Sequence, residues 1–194
     1  MKRALFIDRD GIINRMVKYP NGWDSPQKPQ DVKLVFGVEK VILWANKNGI
    51  PVVEISNQPG VAKGKMSKKI SRDINKKLYL LLKDKGVYID KAYICYHHSE
   101  AIIKELKVCD CRKPKPGLLF KAARELKIDL SKSIFLGDKV TDVKAGRDAG
   151  CKTIIFIHNK DKRSKVEEAK RANADYKIFE LSETISIAEA IYLK

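Results

Sequence analysis

The sequence has no apolar run that could cross a membrane as a helix. Such a span needs roughly 18 or more consecutive apolar residues, so a helical membrane protein is excluded. The sequence is also short of arginine, with 9 against 31 lysines at a formal net charge of +16. Base readout in nucleic-acid grooves leans on the planar arginine fork, and the lysines are spread along the chain. The surplus charge is therefore read as solvated helix faces that also attract an anionic substrate. A nucleic-acid partner is not expected. Cysteine is sparse, at 4 residues, and neither an internal repeat nor a low-complexity tract is present. The first strand begins right after Lys2 and Arg3, which leaves no room for a signal peptide. The expectation is a cytoplasmic protein whose cysteines are reduced unless they bind metal.

The 194 residues, 44% of them hydrophobic, suit a single domain over 1–194 that buries about 70% of its unfolded surface. A monomer is expected. Ala4 to Ile7 is an unbroken apolar run and reads as a strand covered on both faces. Further strands are predicted at 50–56, 91–96, 133–136, 152–157 and near 176–179. Helices are predicted over 37–48, 67–85, 116–126 and 141–149, from about 164, and from 182. Val38, Val41, Ile42 and Ala45 share one face of the first helix. Ile70, Ile74, Leu78, Leu81 and Leu82 form the stripe of the second. Strands alternating with helices imply an α/β fold, a doubly wound, Rossmann-like parallel sheet with helices on both faces. Residues 15–36 show no period and carry Pro20, Pro26 and Pro29, so they read as a long loop. Trp23 within it is either a lid residue or surface packing.

Ligands of such sheets bind beyond the carboxyl ends of the strands. Asp8, Ser56 and Asp138 all fall at those ends. Asp8 and Asp10 lie two residues apart, a spacing that points both side chains the same way in extended chain. Alone, Asp-x-Asp is more often a polar turn after a strand. Together with the other strand ends it suits a phosphate ester. Asp8 can attack phosphorus and form an acyl-phosphate, while Asp10 serves the leaving oxygen and then the water as acid and base. Crowded carboxylates need a hard cation, Mg²⁺, with Asp138 the third ligand. Asp142, one turn on, supports the site or caps its helix. Ser56 offers a hydroxyl to a phosphoryl oxygen, or caps a turn. Lys113 offers positive charge, or is a solvated loop lysine. Cys95-x-His97 and Cys109-x-Cys111 gather four nitrogen and sulfur ligands, a set suited to tetrahedral Zn²⁺. A disulfide is the alternative, and Cys151 reads as core.

With these motifs in view the chain resembles the haloacid dehalogenase superfamily of phosphotransferases. Asp-Arg-Asp-Gly-Ile-Ile-Asn, Ser-Asn-Gln-Pro-Gly, Cys-Asp-Cys-Arg-Lys-Pro-Lys-Pro-Gly and Gly-Asp-Lys-Val-Thr-Asp narrow the match. Together they look like the D,D-heptose 1,7-bisphosphate phosphatases and related histidinol-phosphatase domains, over nearly the whole chain. The resemblance implies a Mg²⁺-dependent phosphatase of a phosphorylated sugar, with heptose 1,7-bisphosphate the first choice. Histidinol phosphatase, polynucleotide 3′-phosphatase and a zinc-containing nucleic-acid-binding module are the alternatives. It makes Asp8 the nucleophile and Asp10 the acid/base. Asp8, the Asp10 backbone carbonyl and Asp138 would hold Mg²⁺, and Ser56 and Lys113 the phosphoryl group. Arg112 and Lys139 would contact substrate, and Asn57 and Gln58 line the pocket. It implies a structural zinc loop over 95–111 that places Arg112 and Lys113, with His97 rather than His98 as ligand. No large cap domain is implied. The first loop, which helps select substrate in this family, is longer and richer in proline here.

Overall fold

Leu5, Phe6 and Ile7 are fully buried, as an apolar strand covered on both faces requires. In the computed structural model, which describes residues 2–158 and 163–192, they form β1 (Leu5–Ile7). In chain order there follow β2 (Val17–Tyr19), β3 (Gly22–Asp24), α1 (Val38–Lys47), β4 (Val52–Asn57), α2 (Lys68–Asp84) and β5 (Lys91–Cys95). Then come α3 (Gly117–Leu126), β6 (Ile134–Gly137), α4 (Val140–Asp148), β7 (Lys152–Phe156), α5 (Arg163–Arg171), β8 (Tyr176–Ile178) and α6 (Glu183–Tyr192). Six strands form one sheet in the order β5-β4-β1-β6-β7-β8, and every pairing in it is parallel.

Strand alternation sorts the core into two layers. Leu5 and Ile7 of β1 pack with Val52, Leu136 and Phe156 under α1, α2 and α6. Phe6 packs with Val53, Ile55 and Phe135 under α3 and the Ala145 side of α4. Ile155 and Ile157 meet Val143 of α4 and Ala169 of α5 on that same side. Full burial of one such aliphatic or aromatic side chain is worth about 1.5–3 kcal/mol. β1 lies between β4 and β6, where Leu5 pairs with Val52 on one side and Ile134 on the other. The chain thus winds outward from β1 in both directions, and the ligand crevice of such a sheet lies at that reversal.

Two local expectations are corrected. Ile70 does not join the buried stripe of α2. It is 38% exposed, one turn into the helix, while Ile74, Leu78 and Leu82 carry the contact. Ser67 caps the helix, its Oγ accepting from the Ile70 amide at 3.2 Å, so Ile70 sits in the first turn, short of the buried stripe. Residues 15–36 are not all loop. β2 and β3 pair antiparallel with Val17 opposite Asp24, and a short 3-10 turn spans Pro29–Asp31. Strands of three residues are too short to display a period of two.

Candidate active site

The carboxyl ends of three adjacent strands deliver the site. Asp8 follows β1, Ser56 lies near the end of β4, and Asp138 follows β6. All three are buried. The Asp8 amide donates to the Leu136 carbonyl at 2.9 Å, which keeps the chain in sheet register up to the carboxylate. Gly11 then turns the chain at φ +100°, and a side chain there would collide with the Asp138 carboxylate. Only glycine meets both demands. A side chain at Gly137 would likewise meet Asp142.

Lys113 is 4% exposed and enters from the turn before α3. Its ammonium lies 2.6 Å from Asp8 Oδ1, 2.7 Å from Asp142 Oδ1 and 2.7 Å from the Ile55 carbonyl. Burial works against its charge, but Asp142 and Asp8 outweigh burial and hold its pKa above the ordinary lysine value. Burial pushes Asp8 up, with Lys113 opposing. Asp142 also accepts from the Lys139 amide at 3.0 Å, capping α4. Both readings of Asp142 are therefore met, as site support and as cap. Asn57 fixes the Lys113 backbone from both sides, donating to its carbonyl and accepting from its amide, each at 3.1 Å.

Asp10 faces the other way. Its carboxylate accepts from Asn14 at 2.9 Å, from Gln58 at 2.5 Å and from Ser25 at 2.8 Å. The Arg9 Nε lies 3.4 Å from Oδ1. Burial alone would raise its pKa, but Arg9, Lys139 and these donors hold it down at about 2. Gln58 is 7% exposed, and its Nε2 also donates to Ser56 Oγ at 2.8 Å. The arrangement leaves the Ser56 hydroxyl proton for a ligand oxygen. Arg9 donates to the Gln58 side-chain amide oxygen and to Asn75 Oδ1 of α2. Glu54, fully buried in β4, accepts from the Tyr79 hydroxyl at 2.9 Å and adds its field to Arg9. Sequence reasoning missed Arg9, Asn14, Ser25, Glu54, Asn75 and Tyr79. Glu54 alone left a signal, a charge inside an apolar strand.

The Lys139 ammonium lies 3.4 Å from the Asp10 carbonyl, 3.7 Å from Asp138 Oδ1 and 4.0 Å from Asp8 Oδ2. Burial would weaken its charge, yet Asp138 and Asp8 raise its pKa. A cation thus rests against the same three groups expected to hold Mg²⁺. By distance alone Asp8, Asp138 and Asp142 also cluster, with oxygens within 4.8 Å of one another. The oxygens of Asp142 are occupied by Lys113 and the α4 cap, so the set with the Asp10 carbonyl fits a hard cation better.

Cys95, His97, Cys109 and Cys111 also converge within 4.8 Å. Cys95 and Cys109 sulfurs are 3.7 Å apart. A tetrahedron with metal–sulfur bonds of about 2.3 Å has sulfur–sulfur edges of about 3.8 Å. No disulfide joins any of the four cysteines. Burial and mutual crowding push Cys95 and Cys111 up, an arrangement that a cation would relieve. His98 Nδ1 instead accepts from the Glu100 amide at 3.1 Å. Cys151 is 5% exposed in the core. Arg112 is half-buried and donates to the His97 carbonyl at 3.0 Å, which ties the cysteine loop to Lys113.

Comparison with known proteins places the chain in a family. The family described as HAD-hyrolase-like matches residues 110–183. A D-glycero-beta-D-manno-heptose-1,7-bisphosphate 7-phosphatase of Haemophilus influenzae is 37% identical over 157 residues, covering 81% of this chain and 82% of that one. The Escherichia coli K12 protein of the same name is 34% identical over 155 residues, covering 79% and 78%. Among solved structures, a Mesorhizobium loti protein described as a HAD-like phosphatase superposes with a TM-score of 0.73 at 30% identity, covering 88% and 85%. D,D-heptose 1,7-bisphosphate phosphatase from B. bronchiseptica, complexed with magnesium and phosphate, gives 0.78 at 23% identity, covering 96% and 97%.

Proposed function

This chain belongs to the haloacid-dehalogenase-like phosphatases, closely related to the D,D-heptose 1,7-bisphosphate 7-phosphatases, and from that premise we propose how it works and on what. It is a phosphoric monoester hydrolase. The proposed reaction is Mg²⁺-dependent removal of one phosphate from a sugar bisphosphate, D-glycero-D-manno-heptose 1,7-bisphosphate first among candidates. The observation that carries the mechanism is the meeting of Asp8, Lys113, Ser56 and Asp138 at the carboxyl ends of the central strands, with Asp10 beside them.

Asp8 attacks phosphorus, the bond to the leaving oxygen breaks, and the acyl-phosphate forms. Asp10 gives the leaving oxygen its proton. Its low pKa rises as the negatively charged ester approaches, because like charge favours the neutral form. Water then attacks phosphorus, Asp10 takes the proton back, and Asp8 is released as carboxylate. Lys113 and Ser56 hold phosphoryl oxygens through both steps. Mg²⁺ held by Asp8, the Asp10 carbonyl and Asp138 would neutralise phosphoryl charge. Asn57 and Gln58 brace Lys113, Ser56 and Asp10 and line the pocket beside them. Zn²⁺ on Cys95, His97, Cys109 and Cys111 would be structural.

The substrate reading rests on relatives at 34–37% identity and on Arg112 and Lys139 at the site. A sugar bisphosphate offers a second anionic group for such cations, and its binding energy can orient the reacting phosphate. A small soluble substrate is favoured over nucleic acid, and a monomer suffices for the chemistry. The test is kcat/KM with Mg²⁺ for the heptose bisphosphate, the matching monophosphate, histidinol phosphate and a 3′-phosphorylated oligonucleotide, each at two salt concentrations. The bisphosphate is expected to lead. A lead of about tenfold for histidinol phosphate or the oligonucleotide, about 1.4 kcal/mol of transition-state preference, contradicts the substrate. A polynucleotide enzyme would also lose affinity steeply with salt, as counterions are released along the strand.

A further inference from the structure

We propose that Glu54 is a positioning residue for the reaction, holding the Arg9 guanidinium, and through it the Gln58 amide, in the orientation that serves Asp10 and Ser56. This rests on the phosphatase reading above. Glu54 is fully buried within β4. It pairs with Ile7 of β1 on one side and Ala92 of β5 on the other. Val52, Val53 and Ile55 around it are buried and apolar, so a β-branched apolar residue would suit the sheet there. A carboxylate in such a place costs stability unless it is fully partnered. Here Oε2 accepts from the Tyr79 hydroxyl at 2.9 Å, while the buried Oε1 has no hydrogen-bond partner. Packing alone does not account for this residue.

The surrounding geometry does. Alternation puts Val52, Glu54 and Ser56 on one face of β4, so Glu54 lies one pleat below the hydroxyl offered to the phosphate. The same face packs against α2. Asn75 and Tyr79, one turn apart on α2, reach the two partners separately. Tyr79 meets Glu54, and Asn75 Oδ1 accepts from Arg9 at 2.7 Å. The other arm of the guanidinium donates to the Gln58 side-chain oxygen, and its Nε lies 3.4 Å from Asp10 Oδ1. Burial works against the Arg9 charge, and Asp10 first, then Glu54, restore it. Burial likewise pushes the Glu54 carboxyl up, with Arg9 and the Tyr79 hydroxyl opposing. Arg9 is thus held between two carboxylates, one in the site and one behind it. Without the rear carboxylate the guanidinium is drawn to Asp10 alone and releases Gln58. The freed amide can then turn its oxygen inward. Asp10 and Ser56 would both lose the donor that now lies at 2.5 and 2.8 Å.

The test is the dependence of kcat/KM on the leaving group. An alkyl ester needs its leaving oxygen protonated, and p-nitrophenyl phosphate hardly does. Misplacing Asp10 therefore harms the alkyl ester far more. Glu54→Gln keeps the shape and removes the charge. On the best alkyl phosphate of the panel above it should lower kcat/KM by about tenfold, and on p-nitrophenyl phosphate by about threefold or less, as a partial loss of general acid catalysis. Tyr79→Phe, which frees one oxygen of Glu54 at a half-buried position, should shift the ratio of the two esters the same way. It carries the test alone if Glu54→Gln fails to fold. In an Arg9→Lys background the fork is already lost, so adding Glu54→Gln should change the ratio no further. A merely structural residue would lower the melting temperature and leave the ratio as it is. An unchanged ratio in the folded variants, or a full further change in the Arg9→Lys background, overturns the positioning role while the phosphatase reading stands. An unaltered protein inactive on every ester would remove that reading and the role with it.

Discussion

Arg9 decides which end of the Gln58 amide faces inward. Its guanidinium donates to the Gln58 oxygen, so the amide nitrogen is left to donate to Asp10 and Ser56. Gln58→Leu keeps the approximate volume and strands a buried guanidinium donor. We expect a stability loss of about 1–3 kcal/mol in urea denaturation. We expect kcat to fall about tenfold or more, while KM changes little, because an orientation rather than a binding contact is lost. A raised KM at unchanged kcat would instead place Gln58 against the substrate. The polar residues at strand ends were readable one by one, since a carboxylate or hydroxyl that closes an apolar run stands out. Arg9 was not, although it lies between Asp8 and Asp10. Its partners Asn75 and Gln58 are far away in sequence, and no local spacing announces them.

The cysteine loop between β5 and α3 has little core of its own. Its exposed apolar residues Ile102 and Val108, at 74% and 84%, show that burial does not hold it. Hydrogen bonds tie it instead, from Ile102 to the Ala62 carbonyl at 2.8 Å and from Arg112 to the His97 carbonyl at 3.0 Å. A metal on the four convergent ligands would supply most of its folding energy. Metal analysis should find about one Zn²⁺ per chain, as a closed four-ligand site requires. Cys109→Ser should lower Zn²⁺ content, melting temperature and activity together, because the loop leads directly into Arg112 and Lys113. Metal-free protein with unchanged melting and full activity would show the cluster to be incidental. At this scale the helices were readable from their apolar faces and the sheet strands from short apolar runs. The three-residue strands of the hairpin escaped, and with them the contact from Ser25 to Asp10. Ile70 was misplaced because periodicity assigns a face without knowing where the sheet beneath it ends.

The sheet as a whole makes the site. Because β1 lies between β4 and β6, carboxylates and a hydroxyl from remote parts of the chain reach one end of the central strands without any local motif joining them. Lys113 then closes the constellation across 105 residues from Asp8. This convergence was foreseeable from the alternation of strands and helices, since parallel strands send all their carboxyl ends the same way. The distribution of labour around it was not, because whether Asp142 serves a cation or Lys113 is settled only by distances. The net charge of +16 favours anionic ligands but does not choose among them. The central claim is that Asp8 itself carries the phosphoryl group between the two steps. Rapid acid quench of the Mg²⁺-loaded protein during turnover, followed by peptide mass analysis, tests it most directly. The account predicts one phosphoryl group on Asp8, absent from Asp8→Asn, which should retain its fold and lose turnover to background. Substantial turnover by a clean Asp8→Asn preparation, or a phosphoryl group on another residue, would contradict it.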